Sequence, residues 1–492
     1  MKSKVLGIHH VTAISGAVHQ NFDFYTRVLG LRLVKKTVNF DDPGTYHLYY
    51  GDEVGSPGTL ITFFPYEGRP GKPGIGQVTV TSYAVPVGQL PVWEQRLRDN
   101  EVEFERVERF GKPALAFNDP HGMGLEILET ETAESPALGT FAGAVISLKS
   151  SAETQDLLAF MGYEVVAKEE GWVRMALPGG NDFLDLRTVE RGHSTGGPGT
   201  VHHIALRLPD DAAQEEWRAA LLARGYQVSP ITDRNYFHSI YFRGPEGVLY
   251  ELATDPPGML IDEDSVETLG TTLQLPPQYE KYRQALEDYL APLDAPFRMA
   301  TREGKGETLL VGLHGTGGDE NDLLPLLAQL DPEAPLLTLR GQVSENGHAR
   351  FFRRLREGIF DQNDLAERSA ELGKFLATKG EDKVVVGYSN GANIAAHTLM
   401  NHPEAFRRAI LIRPMLGWTP PVGIDLSGHR VLVLIGAQDN VVSPENGREL
   451  VKALLELGAH VDVEEVASGH GLTPEDVRLA YRWLRNVPAA VR

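Results

Sequence analysis

Two stretches decide how this chain is read, 7-GIHHVTAI-14 and 200-TVHHIALR-207. Each sets a tandem pair, His9-His10 or His202-His203, in a run whose alternation predicts a β-strand. Histidine is scarce, 16 in 492 residues, so two such pairs in like frames call for a common cause. Neighbours on a strand point to opposite faces. In the second stretch His202 shares a face with Ile204, Leu206 and Leu208, the face expected to pack under a helix. His203 shares the other with Ala205 and Arg207. In the first stretch His10 goes with Thr12, and His9 with Val11 and Ala13. The second histidine of each pair is therefore the better candidate for a polar concavity, and its neighbour is expected to point away as support.

Outward from these strands, the first 255 residues or so repeat one rhythm four times: a strand, an amphipathic helix, then three strands. The units open near Gly7, Val78, Ala142 and Val201. Helices are predicted over 21–29, 90–100 and 212–224. The best match between units is 118-NDPHGMGLEIL-128 against 243-RGPEGVLYELA-253. In both, a glutamate follows a proline by six residues, Pro120 to Glu126 and Pro245 to Glu251. This predicts a turn feeding a strand that carries an inward glutamate. The fold class expected is α+β, four βαβββ units, followed by a different domain. Boundaries are placed at 1–135 for units 1 and 2, 136–260 for units 3 and 4, and 261–305 for a tail and linker with a helix over 279–290. Residues 306–492 form the second domain.

His10, His203 and Glu251 make two histidines and one carboxylate, a facial set that holds a divalent metal and leaves other positions open to substrate and O₂. Fe(II) is the usual metal and Mn(II) the main rival. The last strand of the first unit, 59-TLITFF-64, offers no His, Glu or Gln, where a four-ligand isomerase site would want one. That favours oxygen chemistry over isomerisation. Glu126 has the same turn-to-strand frame, but its unit opens 78-VTVTSYAV-85 without histidine, so it is assigned a structural role.

Composition narrows the partners. The net charge of -20 repels nucleic acid and anionic membrane surfaces. The chain has no cysteine, which excludes disulfides, thiolate nucleophiles and cysteine-ligated metals, and suits a reducing cytoplasm. No signal peptide or membrane span is expected. A small aromatic molecule and O₂ are the expected partners, and the sequence leaves a homo-oligomer open.

After Thr308 short apolar runs alternate with helical segments, as in a mostly parallel, doubly wound α/β sheet. In 387-GYSNG-391, Ser389 sits between a strand and a helix, the context of a nucleophile elbow. Asp439 follows the strand 432-LVLIG-436 and His470 lies in 468-SGHGL-472. The order Ser, Asp, His is that of the α/β-hydrolases. His470 is expected to act as base and Asp439 to orient it. The amides of Thr316 and Asn390 are the expected oxyanion hole. His314 is expected to be a structural turn residue.

The first half resembles the hydroquinone ring-cleaving dioxygenases, chlorohydroquinone enzymes included, of the vicinal-oxygen-chelate superfamily. The resemblance spans about residues 5–295 and is carried by IHHVTA, LGLRLVKKTVNFDDPGTYHLYYGD, VHHIALR and DRNYFHSIYFRGPEGVLYELATD. It implies non-haem Fe(II) on His10, His203 and Glu251, supporting roles for His9, Thr12 and His202, and substrate-pocket roles for Arg234 and Tyr241. It also implies that units 1 and 4 build the site together and that unit 3 pairs with unit 2. The second half, roughly 305–487, resembles carboxylesterase and phospholipase-like α/β-hydrolases through LHGTGGDEND, GYSNGAN, GAQDNVVSP and SGHGLTPED. A bifunctional fusion is expected: hydroquinone ring cleavage plus hydrolysis of an ester or of the ring-opened product. The alternatives are a binding or resistance protein without redox chemistry fused to a general esterase, and a hydrolase that cleaves a carbon–carbon bond.

Overall fold

The computed structural model describes residues 3–66, 68–345, 347–380 and 382–486. The chain divides into two compact units, Met1–Asp294 and Ala295–Arg492.

In the first unit the four repeats build two eight-stranded sheets. Each repeat has an opening and a closing strand. The opening strands are Ile8–Ser15, Gln77–Val85, Phe141–Leu148 and Thr200–Leu208. The closing strands are Leu60–Pro65, Gly124–Glu129, Phe183–Thr188 and Leu249–Pro257. The opening strands of repeats 1 and 4 pair antiparallel at the centre of one sheet, and those of repeats 2 and 3 at the centre of the other. Each opening strand then pairs in parallel with its own closing strand. Repeats 1 and 4, farthest apart in sequence, thus share one concave surface. Helices seal the apolar backs of the strands: Trp93 and Trp217 are buried in one cluster with Val11, Ile146 and Ile204. Asp210 caps the helix Asp211–Ala223 by accepting from the Ala213 N–H.

Two details depart from the expected elements. The first helix is α-helical over Val18–Asp23 and continues as a π-helical turn over Phe24–Val28. The segment expected to be the first domain's tail followed by a linker packs on the first unit through residue 294: Leu273 and Leu290 are buried with Val38. Its helix is split, 3-10 over Pro277–Tyr282 and α over Arg283–Tyr289.

The second unit is a seven-stranded sheet in the order Met299–Arg302, Leu336–Leu339, Leu309–Leu313, Lys383–Tyr388, Arg408–Ile412, Arg430–Gly436, His460–Val466. All neighbours are parallel except the edge strand Met299–Arg302, so this unit begins ahead of residue 306. This is the α/β-hydrolase arrangement. Among the described residues, no helix is long and apolar enough to cross a membrane.

Candidate active sites

The centre of the first sheet is irregular where the histidine pairs lie. Ile8 faces Leu206, but His10 faces Ala205, so His9 is an extra residue on its strand. Thr12 faces His203, but Ala13 faces Val201, so His202 is the extra residue on the other. Both are β-bulges, which re-aim side chains that simple alternation would separate. The rings of each pair accordingly meet, with Nδ1 to Nδ1 distances of 2.9 Å for His9 and His10 and 2.8 Å for His202 and His203. The expectation that His202 packs under a helix is thereby corrected. It is exposed and lines the same cavity as His203. His9 is buried, edge-on to Phe237.

His10, His203 and Glu251 converge. The two Nε2 atoms lie 3.3 Å apart, and Glu251 Oε2 lies 3.3 Å from His10 Nε2 and 2.8 Å from His203 Nε2. Among the described residues these are the one set of three or more side chains placed to hold a metal ion. No hydrogen bond of acceptable angle reaches Glu251 Oε2, although the carboxylate is fully buried. Its other oxygen accepts from the Ser239 hydroxyl. Burial pushes the Glu251 carboxyl up, but His10 and His203 beside it outweigh burial and hold it well below the usual carboxylate range. Burial first, and then His10 and Arg234, keep His203 below its ordinary value, against the pull of Glu251. Three buried ligand atoms that crowd within 3.3 Å of one another fit a cation between them. Metal–donor bonds of about 2.1 Å would set cis donors of an octahedron about 3 Å apart, within the observed spread.

The surrounding cavity has a volume of ≈ 390 Å³. Ile14, Phe40, Phe64 and Leu249 give it apolar walls, and Arg234 and Tyr241 line it as well. The Arg234 Nε donates to the Tyr241 hydroxyl at 3.3 Å, and Arg234 pairs with Asp41 at 3.5 Å. Burial, and then Glu251, raises the Tyr241 phenol above its ordinary value, so it stays protonated. The Thr12 hydroxyl does not bond His10 or His203. It bonds the Thr62 hydroxyl at 2.8 Å, Thr62 bonds His47 Nε2 at 2.9 Å, and His47 Nδ1 meets the Tyr49 hydroxyl at 2.9 Å. Thr62 faces Thr12 as Glu251 faces Ala205, so it occupies the place of a second carboxylate. His47 and Tyr49 were missed by sequence reasoning, though the alternation in 45-TYHLYY-50 puts both on one face.

In the second unit the backbone turns sharply at Ser389, φ 50° and ψ -112°, between the strand Lys383–Tyr388 and the helix Asn390–Asn401. The turn is close-packed. A Cβ on Gly387 would lie 2.5 Å from the Gly391 carbonyl oxygen, and one on Gly391 2.1 Å from that of Leu313. Ser389 Oγ lies 2.9 Å from His470 Nε2, and His470 Nδ1 lies 2.8 Å from Asp439 Oδ2. The other Asp439 oxygen accepts from the Val441 and Val442 amides. Burial pushes the Asp439 carboxyl up, but these amides and His470 outweigh it and hold it below its ordinary value. Asn390 opens its helix, so its N–H has no intrahelical acceptor. Thr316 lies in the turn after Leu309–Leu313. His314 is a turn residue, bonded to the Gly315 carbonyl and the Gly341 amide.

Fold and sites together define a chain of two enzyme classes, paired βαβββ sheets around a His/His/carboxylate cluster and an α/β-hydrolase unit with a serine elbow. The chain belongs to the Glyoxalase/Bleomycin resistance protein/Dioxygenase superfamily, which matches residues 7–127 and 152–260. Over 308 residues it is 48% identical to the "Putative ring-cleaving dioxygenase MhqO" of Bacillus subtilis, covering 60% of this chain and 98% of that protein. It is 35% identical over 310 residues to the "Chlorohydroquinone/hydroquinone 1,2-dioxygenase" of Sphingobium indicum, covering 58% and 96%. Another stretch, 193 residues long, is 40% identical to the "Putative hydrolase MhqD" of Bacillus subtilis, covering 37% and 95%.

Proposed function

We propose that the first unit is an Fe(II)-dependent dioxygenase that opens the ring of hydroquinone or a methyl- or chloro-substituted hydroquinone. We propose that the second is a Ser–His–Asp hydrolase acting on an ester or on the ring-opened product. The observation that carries the first reading is the convergence of two imidazoles and one carboxylate, all buried, with Glu251 Oε2 meeting no other hydrogen-bond donor among the described residues. The printed name of the Sphingobium relative supports the substrate class.

His10, His203 and Glu251 would hold the ion, and Fe(II) there would supply the activation of O₂. The ring would open between a hydroxylated carbon and its neighbour, both oxygen atoms entering the product. The chain's own residues set the rest. With its Nε2 given to the metal, His10 carries its proton on Nδ1 and donates it to His9 Nδ1. His203 donates likewise to His202. Both ligand rings are thereby fixed in tautomer and orientation. Arg234 is suited to stabilise negative charge developing on a substrate oxygen, with the protonated Tyr241 beside it. In the second unit His470 takes the Ser389 proton, Asp439 orients His470, and the amides of Thr316 and Asn390 receive the oxyanion. Both activities are assigned to the cytoplasm.

Oxygen uptake with hydroquinone and methylhydroquinone, after loading with Fe(II) or Mn(II), tests the first reading. Stoichiometric uptake with Fe(II) and none in His203→Ala is expected, and absence of uptake with either metal overturns it. For the second reading, Ser389→Ala should abolish turnover of p-nitrophenyl esters. The coupling of the two sites fails if the ring-opened product is untouched while simple esters are hydrolysed freely.

A further inference from the structure

One short segment, Ala349–Phe351, reaches both sides of the oxyanion hole. The Ala349 carbonyl accepts from the Gly317 N–H at 2.9 Å. Arg350 donates to the Thr316 hydroxyl at 2.6 Å. The Phe351 N–H donates to the Asn390 side-chain oxygen at 2.7 Å. Three consecutive residues thus tie down the turn at Thr316 and the first residue of the helix behind Ser389. The Phe351 ring also lies 4.9 Å from that of His314, whose Nδ1 bonds the turn at Gly315.

Arg350 is an expensive way to hold a threonine. Only 4% of its surface is exposed, and its carboxylate partner, Glu345 at 3.3 Å, is shared with Arg354. Burial and then Arg354 depress its guanidinium, against Glu345. A neutral side chain could bond the Thr316 hydroxyl without this desolvation. What a cation adds is a positive field beside the place where negative charge develops, worth most where water is excluded.

We propose that Arg350 is a positioning residue of the hydrolase, fixing the oxyanion-hole turn through Thr316 and adding a fixed positive charge behind it. The inference rests on the reading of Thr316 and Asn390 as the oxyanion hole. Because the guanidinium can only donate, it takes a lone pair of the Thr316 oxygen and turns the Thr316 O–H away from itself. The segment acts on the transition state and leaves ground-state ester binding alone.

The test uses the full chain with p-nitrophenyl acetate, a fluorophosphonate label for Ser389 and phenylboronic acid as a tetrahedral anion mimic. Arg350→Met should lower kcat and the labelling rate about tenfold or more, leave KM within about twofold, and weaken boronate affinity by a similar factor. Arg350→Lys should recover part of each loss by restoring the charge. If Arg350→Met does not fold, Thr316→Val carries the test, since it removes the acceptor and keeps the cation. It should give the same pattern. Wild-type kcat and labelling in the variant that folds, or a change in KM alone, overturns the proposal. Failure of the unmodified chain to label or to bind the boronate overturns the oxyanion-hole reading itself, and this proposal with it.

Discussion

In the first sheet the two bulges carry His9 and His202; in the second the same bulges carry Thr79 and Ala142. The register makes the correspondence residue by residue. Val80 and Gly143 stand where His10 and His203 stand, and Asp185 stands where Glu251 stands. Glu126 stands where the first sheet has Thr62. The second sheet therefore has neither histidine and carries a carboxylate on each closing strand. Arg109 bridges those carboxylates, to Glu126 at 2.5 and 2.9 Å and to Asp185 at 2.7 Å, and Arg174 closes on Asp185 at 2.7 and 2.8 Å. One backbone plan thus carries two different surroundings for its carboxylates. In the second sheet the positive charge is covalently part of the chain. In the first, Glu251 Oε2 is met by the rings of His10 and His203, with no arginine or lysine among the described residues closing on it.

That contrast can be broken most forcefully at the ligands. His10→Ala or His203→Ala should abolish metal binding and oxygen uptake, measured by metal analysis and an oxygen electrode. His9→Ala should keep the metal with an affinity about 10- to 100-fold weaker, as loss of a partner to a ligating imidazole does. Metal lost in His9→Ala but kept in His10→Ala would reverse the ligand assignment. The two carboxylates give a crossed test. Glu251→Gln should lose metal and turnover, whereas Glu126→Gln should leave oxygen uptake within about twofold. The latter should destabilise the first unit by about 1–3 kcal/mol in urea unfolding, because it takes from Arg109 one of its two buried carboxylate partners. Equal effects on turnover from both would mean that the second sheet is not a structural copy.

A smaller effect sharpens the picture of the second repeat. Burial pushes Asp119 up to about 6, against backbone bonds from Met123 and His121. An unfolded aspartate titrates near about 3.9, so the folded state holds this proton more tightly. Its contribution is complete below about pH 4, falls as pH rises to about 6, and is flat above. The fall amounts to about 2–3 kcal/mol. Asp119→Asn should remove that decline between pH 4 and pH 7 in urea melts, while metal binding stays unchanged.

Much of this was legible in the sequence because it is carried by type and spacing. The paired histidines, the proline-to-glutamate interval and the order of Ser389, Asp439 and His470 are all local patterns. The bulges were not legible, because one extra residue leaves no mark on a strand until its partner is known, and the faces of His202 followed from that. His47 had no echo in another repeat to draw attention to it. The neutralisation of Glu126 by Arg109 joins residues on neighbouring strands whose pairing only the fold supplies. The π-helical turn at Phe24–Val28 buries the aromatic rings of Phe24 and Tyr25 in a way that helical periodicity alone does not foresee.

The bulges also set the phase of their strands. A side-chain period of two means that one residue more or less turns everything beyond it inside out. Each opening strand of the first sheet carries one extra residue, so the apolar positions before and after it both return to the core. Deleting Thr79, which has no chemistry to offer, should therefore harm the fold as much as deleting His9. The second sheet does without the histidines in the same frame. The chain could change what its strands carry because the bulges kept where they point.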